Sequence, residues 1–359
     1  MENRRRIWIT QAADCAGSRA ELTKDLIALL NDEYGFDKSA GYADIGGSSS
    51  LNLCVETNQA QYVVRVYRPY VTSARLNDIL RVRAILSDND IPFAKTFQTL
   101  NGQNWIEWNG RLVEAEYYVK HDGIMDTLER LKYALPLFGR MTSVLDRIEN
   151  TSADGRNPLF ANHIYFERIT EMTEKGCARV LAWNPAEHER EIAYMSKKLA
   201  EKVTQAGEKI FAELPRQLAH GDFWDNNVLF NGDDIILVTD LDFMGERRRI
   251  EDIALTLYFV HISEGYCKND AISAERAIEL KQLLELYESG LNIRLSETEK
   301  TALPIAVALQ ALWGIGGWVA LLDDERAAQN HASGMMWELE RCSYIMDNLN
   351  EWQSMFNKS

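Results

Sequence analysis

The feature that most constrains this chain is a polar stretch at residues 220–227, His-Gly-Asp-Phe-Trp-Asp-Asn-Asn. It places His220, Asp222 and Asn227 in the spacing H-x-D-x4-N, so that an imidazole, a carboxylate and a side-chain amide lie within one short segment. A carboxylate can accept a proton, and an amide oxygen can bind a hard cation. This combination predicts a reactive loop. The alternative interpretation is a solvated loop between two core strands.

Two apolar runs after the motif predict a β-hairpin. Residues 228–230 and 235–238 are apolar, and the Asn-Gly pair at 231–232 between them is typical of a two-residue hairpin turn. The second run ends just before Asp240. We therefore expect the hairpin to bring Asp240 beside Asn227. There both could bind Mg²⁺, because this ion takes one or two protein carboxylates and fills its other positions with phosphates and water.

The spacing of Asp222 and Asn227 is that of the kinase catalytic loop, in which the aspartate accepts the proton of the attacking hydroxyl and the asparagine binds Mg²⁺. Together with Asp240 and the segment Glu-Asp-Ile-Ala at 251–254, the motif resembles the aminoglycoside phosphotransferase superfamily, which includes choline kinases and bacterial homoserine kinases. The resemblance implies that Asp222 is the catalytic base, that Asn227 and Asp240 bind Mg²⁺, and that Asp252 steadies the loop.

His220 and Asp242 each have two open interpretations. Because Asp222 already fills the role of base, we expect His220 to brace the catalytic loop by hydrogen bonding; the alternative is a proton carrier. Asp242 either binds a second metal ion or faces solvent. At positions 241 and 242 the chain has Leu and Asp where protein kinases have the Phe and Gly of their metal-binding Asp-Phe-Gly segment.

A run of small residues near the N-terminal end is a candidate phosphate-binding loop. Gly46 and Gly47, followed by three serines, lie between two strand-like runs. Small residues let backbone N–H groups approach phosphate oxygens, and serine hydroxyls can also donate. The run lacks a full G-x-G-x-x-G, and Gly-Ser turns between strands are common. In the resemblance such a loop covers the nucleotide, which implies cofactor contacts for Gly47, Ser48, Ser49 and Ser50.

Arg65 is the candidate phosphate-binding cation. It lies between valines in the strand-like run 61–67, so its stem is expected to be buried and its head to point into a cleft. Kinases usually have Lys here, and Arg binds phosphate with a different geometry. The alternative is a structural ion pair with a neighbouring acid. Kinases hold this cation with an acid from the next helix, which we predict at 74–88, and Asp78 is the nearest candidate.

The order of elements predicts an α+β protein with a protein-kinase-like two-lobed fold. Strand-like runs and two Asn-Gly pairs, at 101–102 and 109–110, predict a five-stranded antiparallel sheet in a nucleotide-binding lobe of residues 1–118. From residue 119 to 359 the pattern is mainly helical, which predicts a catalytic and substrate-binding lobe. In the resemblance the backbone around Glu116, Tyr117 and Val119 would pair with adenine.

Three helix boundaries of the second lobe can be predicted. A helix over 126–149 is expected to be broken at Pro136. Asn184-Pro185 is expected to open the next helix with Pro at its first position. Ser296 with Glu299 forms a capping-box pattern. The uncharged stretch 302–322 is long enough to cross a bilayer, but a proline, a glutamine and three glycines interrupt it, so we predict a buried helix.

Composition limits the partners. The net charge of −15 argues against nucleic acid and anionic membranes, and it favours a cationic substrate. The odd number of cysteines, five, and their scatter without C-x-x-C pairs predict reduced thiols in a cytoplasmic protein. No apolar run of signal-peptide type follows the arginines at 4–6. The oligomeric state cannot be predicted.

These features predict an ATP- and Mg²⁺-dependent phosphotransferase that acts on a hydroxyl of a small molecule; ATP and GTP are not distinguished. Trp224 and Asp225 in the loop, with Trp313, Trp318 and Trp337 later, would suit a cationic ring-bearing acceptor such as an aminoglycoside or another antibiotic. Tryptophans on apolar helices are more often core residues, so a homoserine-like or choline-like metabolite is the main alternative. A pseudokinase, a kinase-shaped binding module without turnover, is the third interpretation. Arg65 favours it, and the intact Asp222, Asn227 and Asp240 oppose it.

Overall fold

An antiparallel sheet and two helices form the N-terminal lobe in the computed structural model, which describes residues 19–47, 50–149, 164–263, 274–321 and 325–358. In chain order the elements are α1 (Lys24–Tyr34), β1 (Gly41–Gly46), β2 (Leu51–Glu56), β3 (Gln61–Val66), α2 (Ser73–Asp88), β4 (Thr96–Phe97), β5 (Trp105–Trp108) and β6 (Arg111–Tyr117). The strand order is β1-β2-β3-β6, and β4 and β5 both pair with β6. Because β3 occupies one edge of β6, the two short strands share the other. The sheet therefore has six strands where the sequence predicts five, and the two short strands share its last position.

Alternation of apolar residues explains why one face of this sheet packs on α1. Leu51, Leu53 and Val55 of β2 are fully buried, and they lie in one core cluster with Leu26 and Leu30 of α1. The turn between β5 and β6 is made by Asn109 and Gly110, whose φ angles of 48° and 71° are both positive. A two-residue turn of this kind matches the twist of paired strands, so the hairpin predicted from Asn109-Gly110 is confirmed. The hairpin predicted from Asn101-Gly102 is wrong, because the strands on either side of this turn, β4 and β5, each pair with β6.

The C-terminal lobe contains two small sheets and a large helical core. Its elements are β7 (Gly123–Met125), α3 (Leu128–Leu145), a 3₁₀ turn (Phe166–Arg168), α4 (Ile169–Ala182), α5 (Glu187–Glu213), β8 (Arg216–Ala219), β9 (Asp225–Asn231), β10 (Asp234–Val238), β11 (Gly245–Arg248), α6 (Arg249–Ile262), α7 (Ala274–Gly290), α8 (Glu297–Leu309), α9 (Ala311–Trp313), a π-helical segment (Gly314–Val319), α10 (Glu325–Ser333), α11 (Met336–Asp347) and α12 (Leu349–Asn357). The sheets are β10-β9-β7 and β11-β8. The segment that joins β6 to β7 connects the sheet to the mainly helical part of the chain, and a boundary at residue 118 stays a prediction.

Two of the three predicted helix boundaries are wrong. Pro136 lies inside the continuous helix α3, because Leu135 and Leu137 beside it are buried and their packing outweighs the missing N–H. Helix α5 begins at Glu187, after Pro185, and Glu189 rather than Asn184 caps it by accepting a hydrogen bond from Ala186 N at 2.8 Å.

The capping box and the buried helix are confirmed. Glu299 N donates to Ser296 Oγ at 3.2 Å, and Ser296 N donates to the Glu299 carboxylate at 2.9 Å. The helical stretch Glu297–Val319 is long and apolar enough to span a membrane, yet 89% of its most apolar window is buried inside the protein. It packs closely on α4, where any Cβ at Gly176 would clash with the carbonyl oxygen of Ile315.

Candidate active site

The β9–β10 hairpin brings the acid after β10 back to the catalytic loop. Val228 pairs with Val238, and Thr239 N donates to Asn227 O at 3.0 Å. Thr239, the residue before Asp240, is therefore hydrogen-bonded to Asn227. The predicted hairpin is confirmed, but its turn lies at Gly232 and Asp233 instead of at the Asn-Gly pair, and a bulge between Ile235 and Leu237 shifts its register.

Asn227 links the loop's carboxylate to this position. Its Nδ2 donates to both the backbone oxygen and the Oδ2 of Asp222, each at 2.9 Å. Asn227 is buried, and no hydrogen bond from the described residues reaches its Oδ1. Because both amide protons face Asp222, the oxygen is directed away from it and can serve as a cation ligand.

Asp252 holds the start of the loop from the first turn of α6. Its Oδ2 accepts from His220 N at 2.9 Å, and its Oδ1 accepts from Gly221 N at 2.8 Å. Hydrogen bonds to an ionised carboxylate are stronger than those between neutral groups. The geometry is that of the bracing acid predicted for Asp252.

His220 is fully buried and takes part in the same bracing. Its Nδ1 accepts from Asp222 N at 3.2 Å. Burial lowers the pKa of His220 below its ordinary value, and the carboxylates of Asp252 and Asp240 only partly oppose this shift. A neutral imidazole whose Nδ1 is an acceptor carries its proton on Nε2, so the contacts favour the bracing role over that of a proton carrier.

Gly221 allows the catalytic loop to lie against the segment after Asp240. Its φ is 84°, a left-handed conformation, and a Cβ there would clash with the carbonyl oxygen of Phe243. Only glycine satisfies both conditions at low cost.

Asp240 also has a left-handed backbone, with φ 67°, although it is not glycine. Such a conformation costs on the order of 1–3 kcal/mol and persists only where the surrounding structure fixes it. Its Oδ1 accepts from Asp242 N at 3.2 Å, and about a third of its side chain, 32%, is exposed. The carboxylate is therefore both held by the loop and accessible to a ligand.

Arg65 extends from β3 across the cleft to these acids. Its Nη1 lies 3.6 Å from Asp240 Oδ1 and 3.4 Å from Asp242 Oδ1, and its Nη2 donates to Thr239 Oγ1 at 3.5 Å. The cation of one lobe thus meets the acids of the other. Asp242 is only 8% exposed, so the interpretation that it faces solvent is wrong. Burial raises the pKa of Asp242 to about 7, with a further contribution from the Asp240 carboxylate, against the lowering effect of Arg65 and Arg75.

The proposed pairing of Asp78 with Arg65 is wrong. Helix α2 contributes cations to the cleft instead of an acid. Asp78 binds Arg81 of its own helix at 3.0 Å. Arg83 binds the Glu114 carboxylate at 2.9 and 3.0 Å and also pairs with Glu116. Glu114 and Glu116 are two residues apart on β6. An acid within an otherwise apolar strand indicates a buried cationic partner, and this signal could have predicted the contacts of Arg83.

A small pocket lies between the two lobes. Its upper wall comes from β3, α2 and β6, and its lower wall from the end of β10 and the loop after it. The lining residues include Arg65, Arg83, Glu114, Glu116, Asp240 and Asp242.

Residues 43–266 match the family model described as "Phosphotransferase enzyme family". The chain belongs to this family. It is therefore a small-molecule phosphotransferase, and it has the protein-kinase-like fold that the sequence predicts.

Solved structures with this fold include kinases for antibiotics and for metabolites. A microcompartment-associated aminopropanol kinase is similar with a TM-score of 0.65 at 16% identity, covering 91% of this chain and 98% of that one. Amicoumacin kinase hAmiN, in complex with AMP-PNP, Ca²⁺ and Ami, has a TM-score of 0.64 at 12% identity, covering 88% and 94%. The Plasmodium vivax ethanolamine kinase has a TM-score of 0.56 at 15% identity, covering 89% and 84%. No curated protein sequence matches the chain significantly.

The donor set of this phosphotransferase fits a magnesium ion that is shared with phosphates. No group of three or more His, Cys, Asp or Glu side chains arranged to hold a metal occurs among the described residues. Asn227 Oδ1 and the Asp240 carboxylate provide one neutral and one anionic oxygen. Mg²⁺ bound by few protein ligands, with phosphates and water completing its octahedron, needs no larger protein cage.

The structure describes only part of the predicted phosphate-binding loop. Gly46 and Gly47 have φ angles of 92° and 116°, and Asn52 Nδ2 donates to Gly46 O at 2.9 Å. A side chain at Gly47 would clash with this amide, so the turn requires glycine. Ser50 is buried, whereas Ser48 and Ser49 lie outside the described residues.

The predicted adenine contact remains a prediction. Tyr117 N donates to Lys95 O at 3.0 Å, and Val119 O accepts from His121 Nδ1 at 3.1 Å. The Glu116 side chain pairs with Arg83. Adenine could pair with Tyr117 N only if the bond to Lys95 O is broken, whereas the Val119 carbonyl oxygen can accept a second hydrogen bond.

Proposed function

We propose that this phosphotransferase transfers the terminal phosphoryl group of ATP, bound with Mg²⁺, to a hydroxyl of a small amine-bearing molecule. The observation that supports it most directly is the link between Asn227 and Asp222 beside Asp240. It joins a proton acceptor to two cation ligands in one short loop and the strand that follows it.

Asp222 accepts the proton of the acceptor hydroxyl. The amide of Asn227 binds one of its carboxylate oxygens at 2.9 Å, which orients the carboxylate. Phosphoryl transfer depends mainly on positioning and charge neutralisation, so an oriented carboxylate suits the role of base.

Asn227 and Asp240 hold the magnesium ion, and Arg65 with the loop at Gly47 and Ser50 binds the phosphates. The ion would neutralise charge on the phosphates when bound. Arg65 lies between Asp240 and Asp242, at 3.6 and 3.4 Å, so its charge is already directed to the place where metal and phosphates would lie. Asp242 is buried against the same arginine and is a candidate second ligand.

A small cationic alcohol is the acceptor that the chain favours. The net charge of −15 attracts cations, and the half-buried Trp224 lies two residues from Asp222, with its ring 5.1 Å from that of Phe259. The similar structures include kinases named for aminopropanol, ethanolamine, amicoumacin and spectinomycin. An antibiotic acceptor is the first candidate, and a metabolic amino alcohol is the second, favoured by the likeness to the aminopropanol kinase.

The tryptophans proposed for an aromatic wall do not form a single group in their ring contacts. Trp224 packs on Phe259, whereas Trp313 and Trp318 pack edge to face on each other at 4.7 Å. Trp337 is 41% exposed and lies under the Arg341 guanidinium at 3.8 Å. Trp224 is therefore the tryptophan with the clearest claim to contact an acceptor.

The test combines nucleotide binding with turnover. Millimolar MgATP should raise the melting temperature of the wild type and of Asp222→Ala, since a ligand that binds only the folded state stabilises it. ADP release should then be measured against one panel of aminoglycosides and other antibiotics and one of amino alcohols. Asp222→Ala should lower kcat by about 10²–10⁴-fold, the usual contribution of a general base.

Asp233→Asn, an exposed carboxylate in the turn of the same hairpin, serves as the control and should retain wild-type turnover. Turnover only with amino alcohols would replace the antibiotic acceptor with the metabolic one. A wild type that neither binds MgATP nor phosphorylates any compound would contradict the proposed function, and undiminished turnover in Asp222→Ala would contradict the role of that residue.

A further inference from the structure

The loop after Asp240 is held by two buried arginines, one from each lobe. We define residues 240–244 as the metal loop. Arg75 of α2 donates from Nη2 to the carbonyl oxygens of Leu241, Asp242 and Met244, at 3.2, 3.0 and 2.5 Å. Arg247 of β11 donates to the carbonyl oxygen of Phe243 at 2.8 Å. All four carbonyls of residues 241–244 are therefore bound by guanidinium groups.

Arg75 reaches the metal loop across the boundary between the lobes. It lies in the first turn of α2, and only 4% of it is exposed. A buried guanidinium is costly unless its donors are satisfied, and here three of the acceptors are backbone carbonyls of one loop. Position and burial together make Arg75 part of the support of this loop.

The metal loop needs such support because its first residue is strained. Asp240 has a left-handed φ of 67° without being glycine, and its carboxylate is bonded to the backbone of the same loop through Asp242 N. The direction of the carboxylate therefore follows the backbone of residues 240–242. A change in that backbone would move the proposed metal ligand away from Asn227.

We propose that Arg75 is a positioning residue for phosphoryl transfer, which fixes the backbone of the metal loop and thereby the direction of the Asp240 carboxylate. This inference rests on the proposed function, since it requires that Asp240 binds the metal. Arg75 acts through the loop and contacts neither substrate nor metal. It also makes the metal site depend on the position of α2, an element of the nucleotide-binding lobe.

The same helix offers a control. Arg81 also lies on α2 and binds a carboxylate, that of Asp78, but its side chain is 39% exposed and its other hydrogen bond goes to Glu149 O. Arg81→Met removes a guanidinium from α2 without touching the metal loop. Arg75→Lys retains the charge and some donors of Arg75, whereas Arg75→Met keeps only its apolar stem.

The decisive quantity is the gain in ATP affinity that Mg²⁺ provides. Isothermal titration calorimetry, well below the melting temperature of each variant, should compare ATP with Mg²⁺ against ATP with EDTA. We expect Arg75→Met to reduce the magnesium-dependent gain by about tenfold, which corresponds to about 1.4 kcal/mol. Affinity for metal-free ATP should change less, Arg75→Lys should recover part of the gain, and Arg81→Met should match the wild type.

A purely structural role predicts a different result, in which Arg75→Met has a lower melting temperature but an unchanged magnesium-dependent gain. That result would overturn the proposal, as would an equal loss in Arg81→Met. If Arg75→Met does not fold, Arg75→Lys decides, and a wild-type gain in that variant refutes the inference. A wild type with no magnesium-dependent gain would contradict both the proposed function and the inference, whereas a gain that Arg75→Met retains contradicts the inference alone.

Discussion

Asp252→Asn tests how strongly the active conformation of the catalytic loop depends on one carboxylate. Asp252 accepts the backbone N–H groups of His220 and Gly221 at 2.9 and 2.8 Å, and it is 2% exposed. Asparagine has nearly the same shape but only one acceptor oxygen. Its amide NH₂ would face one of the two backbone N–H groups, and that N–H group would be left buried without an acceptor.

The magnitude follows from these contacts. A hydrogen bond to a charged group contributes about 1.5–3 kcal/mol, and a buried donor left without an acceptor costs about 1–3 kcal/mol. We therefore expect the substitution to destabilise the active loop conformation by roughly 2–4 kcal/mol. This is less than the sum of the two figures, because they partly describe the same loss. Each 1.4 kcal/mol is a factor of about ten, so kcat should fall by at least about tenfold.

Urea unfolding and steady-state kinetics should be measured together. Asp252→Asn should lower the free energy of unfolding and kcat, while KM for MgATP changes little, because Asn227 and Asp240 keep their own contacts. Asp233→Asn again provides the control for an exposed aspartate. Wild-type kcat together with wild-type stability in Asp252→Asn would refute the bracing role, and a loss of stability without a loss of kcat would show that the loop keeps its active conformation without this carboxylate.

Two further predictions follow. Asn227→Ala removes both the donor to Asp222 and the proposed oxygen ligand, so the magnesium-dependent gain in ATP affinity should fall by about tenfold or more, and an unchanged gain in calorimetry would exclude Asn227 as a ligand. Glu338 lies outside the active site; burial raises its pKa to about 8 from an ordinary value of 4.5, against the lowering effect of the hydrogen bond from Tyr258. The folded state keeps a proton that the unfolded chain releases, so the free energy of unfolding should fall as pH rises from 4.5 to about 8, by at most about 1.4 kcal/mol per pH unit from this group. Glu338→Gln should remove this part of the pH dependence in urea unfolding between pH 5 and 8, and identical profiles for the two proteins would refute the assignment.

The candidate catalytic loop and the hairpin after it can be predicted from residue order alone. His220, Asp222 and Asn227 lie within eight residues, and two apolar runs joined by a short turn return the chain toward Asn227. Residue spacing encodes this much directly. The same reason explains why the capping box at Ser296 was predicted correctly. The final register of the hairpin is not encoded in this way, because the turn lies at Gly232 and Asp233 and a bulge between Ile235 and Leu237 shifts the pairing so that Thr239 meets Asn227.

The charged groups that meet across the cleft come from distant parts of the chain and could not be predicted from residue order. Arg75 binds carbonyls that lie 166 to 169 residues away, and Arg65 reaches Asp242 over 177. Asp78 is the nearest candidate acid on the helix after Arg65, yet Arg83 of the same helix is the residue that pairs with the acids of β6. Buried charges choose their partners through the packing of helix against sheet and lobe against lobe, and no periodicity within one segment carries that information. Pro136 shows the same limit, because burial on both sides keeps α3 continuous where local propensity predicts a break.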